Sequence, residues 1–346
     1  MLRGRCDSFV VETNVHYPTD INLLLDAMRK IITLSAQWCA LHGEPSWRQH
    51  DYNLRQIKRC MRSVQNKKRS RSGNALQQEK NAELIKKAHQ EYLDNAQLYL
   101  TKARHTLLCM EQAGHSAEGD LKKKKEIEEF ILHAERQINQ IYRRVMLGEI
   151  IAHGEKVFSI FEPHTEWICK GKAGVPVELG VKVCILEDQY QFILHHQVMQ
   201  NQTDDQVTVE MVVQAKKRFA ELAQCSFDKG FHSPANQAAL PSHLALVILP
   251  KKGKLSQERQ TLEHTPEFIQ ARRAHSAVES AINALEVHGL DICPDRGIDG
   301  CKRYVALAVL ARNIHRIGAI LWQQEQERVS KQHRMKDNRQ RMLLAA

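Results

Sequence analysis

The sequence lacks the spacings and apolar runs that mark several classes of protein. Its nine cysteines are odd in number, and no two of them have the two-residue gap that is usual in zinc sites. Neither a zinc site nor a full disulfide framework is therefore indicated, and scattered thiols are typical of a reducing compartment. No apolar run approaches membrane-spanning length, and the N-terminus has no signal-peptide apolar segment. We expect a cytoplasmic protein that is not associated with a membrane.

The chain has enough apolar residues to form a core, and it has an excess of positive charge. Hydrophobic residues make up 42% of its 346 residues, which excludes disorder throughout and suits one large domain or two ordinary ones. The formal net charge is +10. Such an excess favours an anionic partner, and nucleic acid is the natural candidate.

The first half of the pattern is one strand followed by helices. Residues 6–13 are β-prone, and Thr19-Asp20 ends that run and caps a helix. Ser46 can cap the next helix and Asp120 the last one of the block. No strand signal interrupts this stretch, so the sequence predicts a block of helical hairpins after the first strand.

Strand signals return after Gly154. Residues 177–185 alternate between apolar and polar, and residues 192–198 are their predicted hairpin partner. Further short strands are predicted before Asp228 and at 244–249, with a short helix from Ser233-Pro234 between them. The order of elements indicates a mixed, helix-rich α/β fold with helices on the faces of a small sheet.

Two helices are predicted after the last of these strands. Thr265-Pro266 opens the first in the cap-then-proline manner, and this helix continues to near Gly289. The second runs from about residue 300 to 325, and a polar, basic tail follows it.

Three stretches far apart in the chain each place one acidic residue where a metal-dependent phosphoryl-transfer site would need it. Asp7 and Asp228 lie at the edges of β-prone runs, and Glu279 lies within a helical pattern. Two Mg²⁺ ions that clamp an in-line attack at phosphorus need a small set of hard oxygen ligands. The ordinary alternatives stand beside this interpretation: Asp7 can merely flank a strand, Asp228 before Lys-Gly is common turn chemistry, and surface carboxylates are frequent.

The order Asp7, then Asp228-Lys229-Gly230-Phe231, then Arg272 to Glu279 resembles the DDE transposases of bacterial insertion sequences, and within them the ISNCY-type group. The resemblance extends from about Leu2 to Gly318. It includes the run after Asp7, the loop 161–172 and the C-terminal segment 296–313. It implies a ribonuclease-H-like core with the first Asp on the first strand, the second near the end of a later strand, and the Glu on a helix beside them.

The same resemblance implies a function. A bacterial, nucleoid-associated homodimer would cleave DNA at element ends and join the freed 3′-hydroxyl to target DNA. Two ions, Mg²⁺ or Mn²⁺, would be held by Asp7, Asp228 and Glu279, one to activate the attacking oxygen and one to stabilise the leaving oxygen. The predicted organisation is the first strand (1–18), a helical insertion (19–150), the remaining catalytic core (151–325) and the basic tail (326–346).

Basic side chains near the three acids are the expected DNA contacts. Arg272 or Arg273 can meet a phosphate as a planar fork, and we expect the same partner for Lys229, Lys170 and Lys172. Helical spacing would put Arg272, His275, Glu279, Asn283 and Glu286 on one face, although such a face is often simply solvated. The charge runs 67–69, 122–125 and 251–254 have the same two interpretations.

Two features leave alternatives open. Glu162 rivals Asp7 as the first metal ligand, although Asp7 has the better strand context. Position 286, where related families commonly have a Lys, holds Glu286, so the DNA contact of that Lys is not transferred.

The resemblance also departs from the family at the start of the chain. Only six residues precede Asp7, whereas family members carry a helix-turn-helix-like region there. We therefore expect a core without that recognition region. Two other functions remain open, namely an inert remnant that binds DNA or dimerises through the helical block, and a metal-dependent nuclease without strand transfer.

Overall fold

The computed structural model describes residues 1–69, 75–112, 118–169 and 176–344. The chain divides into two compact units. One comprises Met1–Asn14 with His164–Ala346, and the other comprises Val15–Pro163. We call them the sheet unit and the helical unit. The helical unit extends on both sides of the predicted insertion, 19–150.

The helical unit contains four long helices, and apolar residues recurring at helical spacing form its core. Thr19 caps the first helix as predicted, because its hydroxyl accepts the Asn22 N–H at 3.3 Å. Ser46 caps no long helix: it lies in a short 3₁₀ turn, Pro45–Trp47, and Asp120 lies inside the fourth helix rather than before it. The helices are α1 (Asp20–Leu41), α2 (His50–Arg69), α3 (Ala75–Gln112) and α4 (Glu118–Val145).

The sheet unit is built on a mixed sheet of seven strands, as the predicted α/β class requires. Its central strand, the first, pairs antiparallel with the third and parallel with the fifth and seventh. The third strand also pairs antiparallel with the second and fourth, and the sixth extends the sheet parallel to the fifth. The strands are β1 (Leu2–Thr13), β2 (Glu166–Cys169), β3 (Val177–Asp188), β4 (Ile193–Met199), β5 (Leu222–Phe227), β6 (Leu246–Ile248) and β7 (Ile292–Cys293).

Helices cover both faces of this sheet. Because side chains alternate along β1, Cys6 packs into one apolar cluster while Phe9 and Val11 pack into another on the opposite face. The first cluster includes residues of α5, and the second includes residues of α9 and α10. The helices of this unit are α5 (Asp204–Arg218), α6 (Pro234–Ala239), α7 (Gln257–Glu263), α8 (Pro266–His275), α9 (Ala277–Leu285) and α10 (Gly297–Leu344).

The C-terminal helices differ from the prediction in two ways. The single helix expected from Thr265 to near Gly289 is interrupted at Ser276, which separates α8 from α9. Gly289 then takes a φ of +102°, which ends the helical path because only glycine adopts that conformation readily. The last helix runs to Leu344, so the predicted basic tail is helical as far as that residue.

One helix also bears on the expected absence of membrane-spanning runs. By length and composition alone, α10 could cross a membrane over Gly297–Met335, and 11% of its most apolar window is buried. The expectation that the protein is not associated with a membrane stays a prediction.

Candidate active site

The register between β1 and β5 brings two of the predicted acids together. Cys6 of β1 pairs with Phe227 of β5 across the parallel ladder. Asp7 and Asp228 are the residues that follow this pair in the two neighbouring segments of the chain. Asp228 keeps an extended backbone, with φ −76° and ψ 166°, before the chain turns at Lys229–Phe231. Two acids more than two hundred residues apart in sequence therefore lie side by side where the β1–β5 pairing ends.

Asp7 carries the clearest electrostatic sign of a site. Burial is the main cause that raises its pKa to about 6, and the negative charges of Asp228, Asp204 and Glu279 contribute in that order. The Ser8 N–H, which donates to the Asp7 carboxylate at 2.8 Å, opposes the shift. Four carboxylates thus share one environment, and we call Asp7, Asp204, Asp228 and Glu279 the acidic cluster.

Asp204 is a member that the sequence did not identify. It is the first residue of α5, and its carboxylate accepts the Ser8 hydroxyl at 2.7 Å and lies 3.3 Å from the Lys182 ammonium. A Cβ at Gly230 would lie 3.1 Å from an Asp204 oxygen, so the turn after Asp228 approaches this carboxylate closely. An acid at a helix start is ordinary in proteins, because it offsets the positive end of the helix dipole, so this position alone does not indicate a functional site.

Glu279 lies in the first turn of α9, and its side chain is exposed. Its charge acts on Asp7 and also on His275, the last residue of α8. Burial lowers the pKa of His275, while Asp228 and Glu279 oppose that shift. The ring is held by Ser226 of β5, whose hydroxyl lies 3.1 Å from Nδ1. Asp228 and Glu279 therefore both act on Asp7 of β1 and on His275 of α8.

The predicted contacts with DNA stay predictions, and the structure shows where some of these basic residues lie. Lys229 is exposed in the turn after Asp228, and Arg272 and Arg273 are exposed on α8. The prediction that Arg272 and Glu279 share a face of one helix is wrong, because Ser276 interrupts the helix between them. Lys170 and Lys172 lie outside the described residues.

Glu162, the rival for the first ligand position, belongs to the helical unit and is buried there. Its backbone N–H donates to the Ser159 hydroxyl at 3.0 Å. Its proposed role as a ligand stays a prediction.

The chemistry of the acidic cluster suits a hard divalent cation. Carboxylate oxygens are the ligands that Mg²⁺ and Mn²⁺ prefer, and a cation would offset the mutual repulsion that contributes to the raised Asp7 pKa. Within residues 1–69, 75–112, 118–169 and 176–344, no three His, Cys, Asp or Glu side chains are arranged to hold a metal ion. Asp228 and Glu279 are exposed, so these two side chains have room to rotate toward a shared ion.

Comparisons with known proteins add no relative. No protein-family model, curated protein or solved structure matches the chain. The function is therefore inferred from the acidic cluster and its surroundings.

Proposed function

We propose that the chain is a metal-dependent DNA strand-cleaving and strand-transferring enzyme of the DDE transposase type. The observation that carries the proposal is the β1–β5 register, which makes Asp7 and Asp228 neighbours. Glu279 joins them electrostatically, because its charge contributes to the raised pKa of Asp7. A carboxylate whose pKa is perturbed by burial and by neighbouring charges is typical of a functional site.

The sheet supports the ribonuclease-H-like core that the resemblance implies. Its central strand carries the first acid, the parallel neighbour ends at the second, and a later helix carries the third. The helices α1 to α4 lie between β1 and β2 in the chain, where the insertion was expected.

In this proposal the acidic residues hold and position two Mg²⁺ or Mn²⁺ ions. Asp7, Asp228 and Glu279 would be the ligands, and Ser8 fixes Asp7 through its N–H and Asp204 through its hydroxyl. The bound ions would supply charge neutralisation at the attacking and leaving oxygens of the phosphodiester. No covalent bond to the protein is needed, because positioning and electrostatics supply the catalysis.

The proposed substrate is DNA, at element ends and at the target. Lys229 is exposed in the turn directly after Asp228, and Arg272 and Arg273 are exposed on α8, the helix before Glu279. Their charges can meet phosphates there. Bacterial nucleoid localisation and a homodimeric state belong to the same proposal.

The test is a nicking assay on supercoiled plasmid with Mn²⁺. We expect the purified chain to nick the DNA and Asp228→Ala to lower the rate at least about 100-fold, because a ligand carboxylate is removed. The matched control is Glu221→Ala, which removes an exposed carboxylate just before β5, at its other end, and should keep the activity. Equal rates for Asp228→Ala and the unsubstituted chain would contradict the proposal.

A catalytically inert remnant that binds DNA or dimerises is the second candidate. It is favoured by the exposed Glu279 and by the lack of a closed ligand set among the described residues. Retained DNA binding without any nicking in Mn²⁺ would support the remnant. Nicking without joined products, assayed with a labelled 3′-hydroxyl end, would indicate a plain nuclease.

A further inference from the structure

Five large apolar side chains form an exposed row along α10. They recur at alternating spacings of three and four residues, and each is between 49% and 59% exposed. A period of 3.5 residues keeps such a row on one side of a helix over several turns. We call this row the α10 stripe: Leu307, Leu310, Ile314, Ile317 and Leu321.

The opposite side of α10 is fixed to the sheet unit. Cys301, Val305 and Val309 are buried in the cluster beneath the sheet. Asn313 makes two hydrogen bonds of 2.9 Å to the backbone of Ile193, accepting its N–H and donating to its carbonyl. Arg316 donates to the Tyr190 carbonyl at 2.9 Å. The helix is therefore held in one rotation, with the stripe directed away from its own sheet.

We propose that the α10 stripe binds the α10 stripe of a second copy of this chain and so forms a two-fold symmetric dimer. A two-fold axis brings the same surface of both copies together, so a self-complementary apolar row is what such an interface needs. The 3.5-residue period is that of helices that pair along an apolar seam. The two charged residues between Leu307 and Leu321, Arg312 and Arg316, lie off the row.

The area of the stripe suits a dimer. Five half-exposed side chains of this size present roughly 100 Å² each, so two copies would bury about 1,000 Å² in total, the lower bound of a specific interface. Ala311 and Gly318, both exposed, lie between the large side chains along the row. Small residues there allow two helices to approach closely.

A lipid bilayer is the other surface that an apolar helix of this length can meet. The anchored side of α10 argues against it, because spanning a bilayer would break the Asn313 and Arg316 hydrogen bonds and expose Val305 and Val309 of the sheet-unit core. The stripe alone is also one-sided, whereas a spanning helix is apolar all round.

Sedimentation equilibrium of the full chain tests the dimer. We expect twice the mass of the single chain at micromolar concentration, and the single mass for the double variant Leu310→Glu/Ile317→Glu, with the dissociation constant raised at least about 100-fold. Because both side chains are exposed, the variant should keep its circular dichroism spectrum. The matched control is Gln323→Glu/Gln326→Glu, which adds the same charge to exposed positions off the stripe and should remain dimeric.

Three results would overturn the inference. The first is a monomer at all concentrations up to about 100 µM. The second is a dimer that persists unchanged in the stripe variant, which would place the interface elsewhere. The third is a monomeric chain that co-sediments with phosphatidylcholine vesicles through the stripe, which would assign the surface to lipid. None of these measurements depends on whether the chain cleaves DNA.

Discussion

Glu187 on β3 is fully buried, and the guanidinium of Arg5 lies 3.1 Å from its carboxylate. The two groups are close but not aligned as a hydrogen bond, so the ion pair compensates burial only in part. Burial raises the pKa of Glu187 to about 7, while the positive charges of Arg5, Arg312 and Arg316 lower it and Asp188 opposes them. The ionised form of Glu187 therefore lowers the stability of the folded chain.

The contribution of Glu187 to stability should fall as the pH rises through neutrality. Glu187 keeps its proton up to about pH 7 when folded but ionises near pH 4.5 when unfolded. Its stabilising contribution is thus complete below pH 4.5 and disappears as the pH rises through 7. We expect Glu187→Gln to remove a pH-dependent loss of unfolding free energy on the order of 2 kcal/mol. The measurement is the urea midpoint of unfolding at about pH 5.5, 6.5 and 7.5.

The control for this measurement is Glu221→Gln, which changes an exposed carboxylate of the same unit. Its midpoints should follow those of the unsubstituted chain at every pH. Parallel midpoints for Glu187→Gln would show that Glu187 is ionised in the folded state and would refute the prediction.

Among the elements, β3 depends on one glycine. Gly180 pairs with Glu12 of β1 on one side and with Glu166 of β2 on the other. A Cβ at this position would meet the Val11 carbonyl oxygen and lie 2.8 Å from the Glu12 Cα. Both are backbone atoms that cannot move aside without parting the strands.

We therefore expect Gly180→Ala to destabilise the sheet unit by at least about 2 kcal/mol, as overpacking does. The loss should appear as a lower melting temperature of the near-ultraviolet signal. Gly119→Ala is the matched control, because a Cβ there has open space and alanine favours a helix. An unchanged melting temperature for Gly180→Ala would show that the strands can separate at that point without cost.

Sequence patterns predicted most elements but not their interruptions. Alternation over β3, the hairpin partner β4 and the caps Thr19 and Ser233 were predicted from local patterns, and the structure confirms them. No such local pattern predicts the break at Ser276 or the strands β2 and β7. They are determined by pairing with distant strands and by packing of α8 and α9, which periodicity does not report.

The acidic cluster, too, was only partly predictable from the sequence. Asp7 and Asp228 stand beside strand patterns that a sequence displays, and parallel pairing makes them neighbours. Asp204 enters through a hydrogen bond to Ser8, a residue 196 positions away. No local pattern encodes that contact, so the fourth acid could be found only from the folded chain.

At the scale of the whole molecule, positive charge is concentrated rather than spread. The chain carries a net charge of +10, and α2 has a single acid, Asp51, against seven basic residues. The basic residues are Arg55, Lys58, Arg59, Arg62, Lys67, Lys68 and Arg69. Arg55, Arg59 and Arg62 are exposed at helical spacing, opposite the buried residues Ile57 and Val64. We predict that this basic side of α2 binds the phosphate backbone of DNA.

The double variant Arg55→Glu/Arg59→Glu should weaken DNA binding without regard to DNA sequence, because these side chains would meet phosphates rather than bases. In fluorescence anisotropy titrations from about 50 to 200 mM salt, the slope of log K against log salt should shrink by about 0.9 for each phosphate that is no longer neutralised. The control, Lys122→Glu/Lys125→Glu on α4, makes the same change of charge beside the acids Glu118, Glu126 and Glu128, which already offset the local field. If both variants reduce the slope equally, net charge alone attracts the DNA. A reduction confined to the α2 variant would identify a defined binding surface on the helical unit.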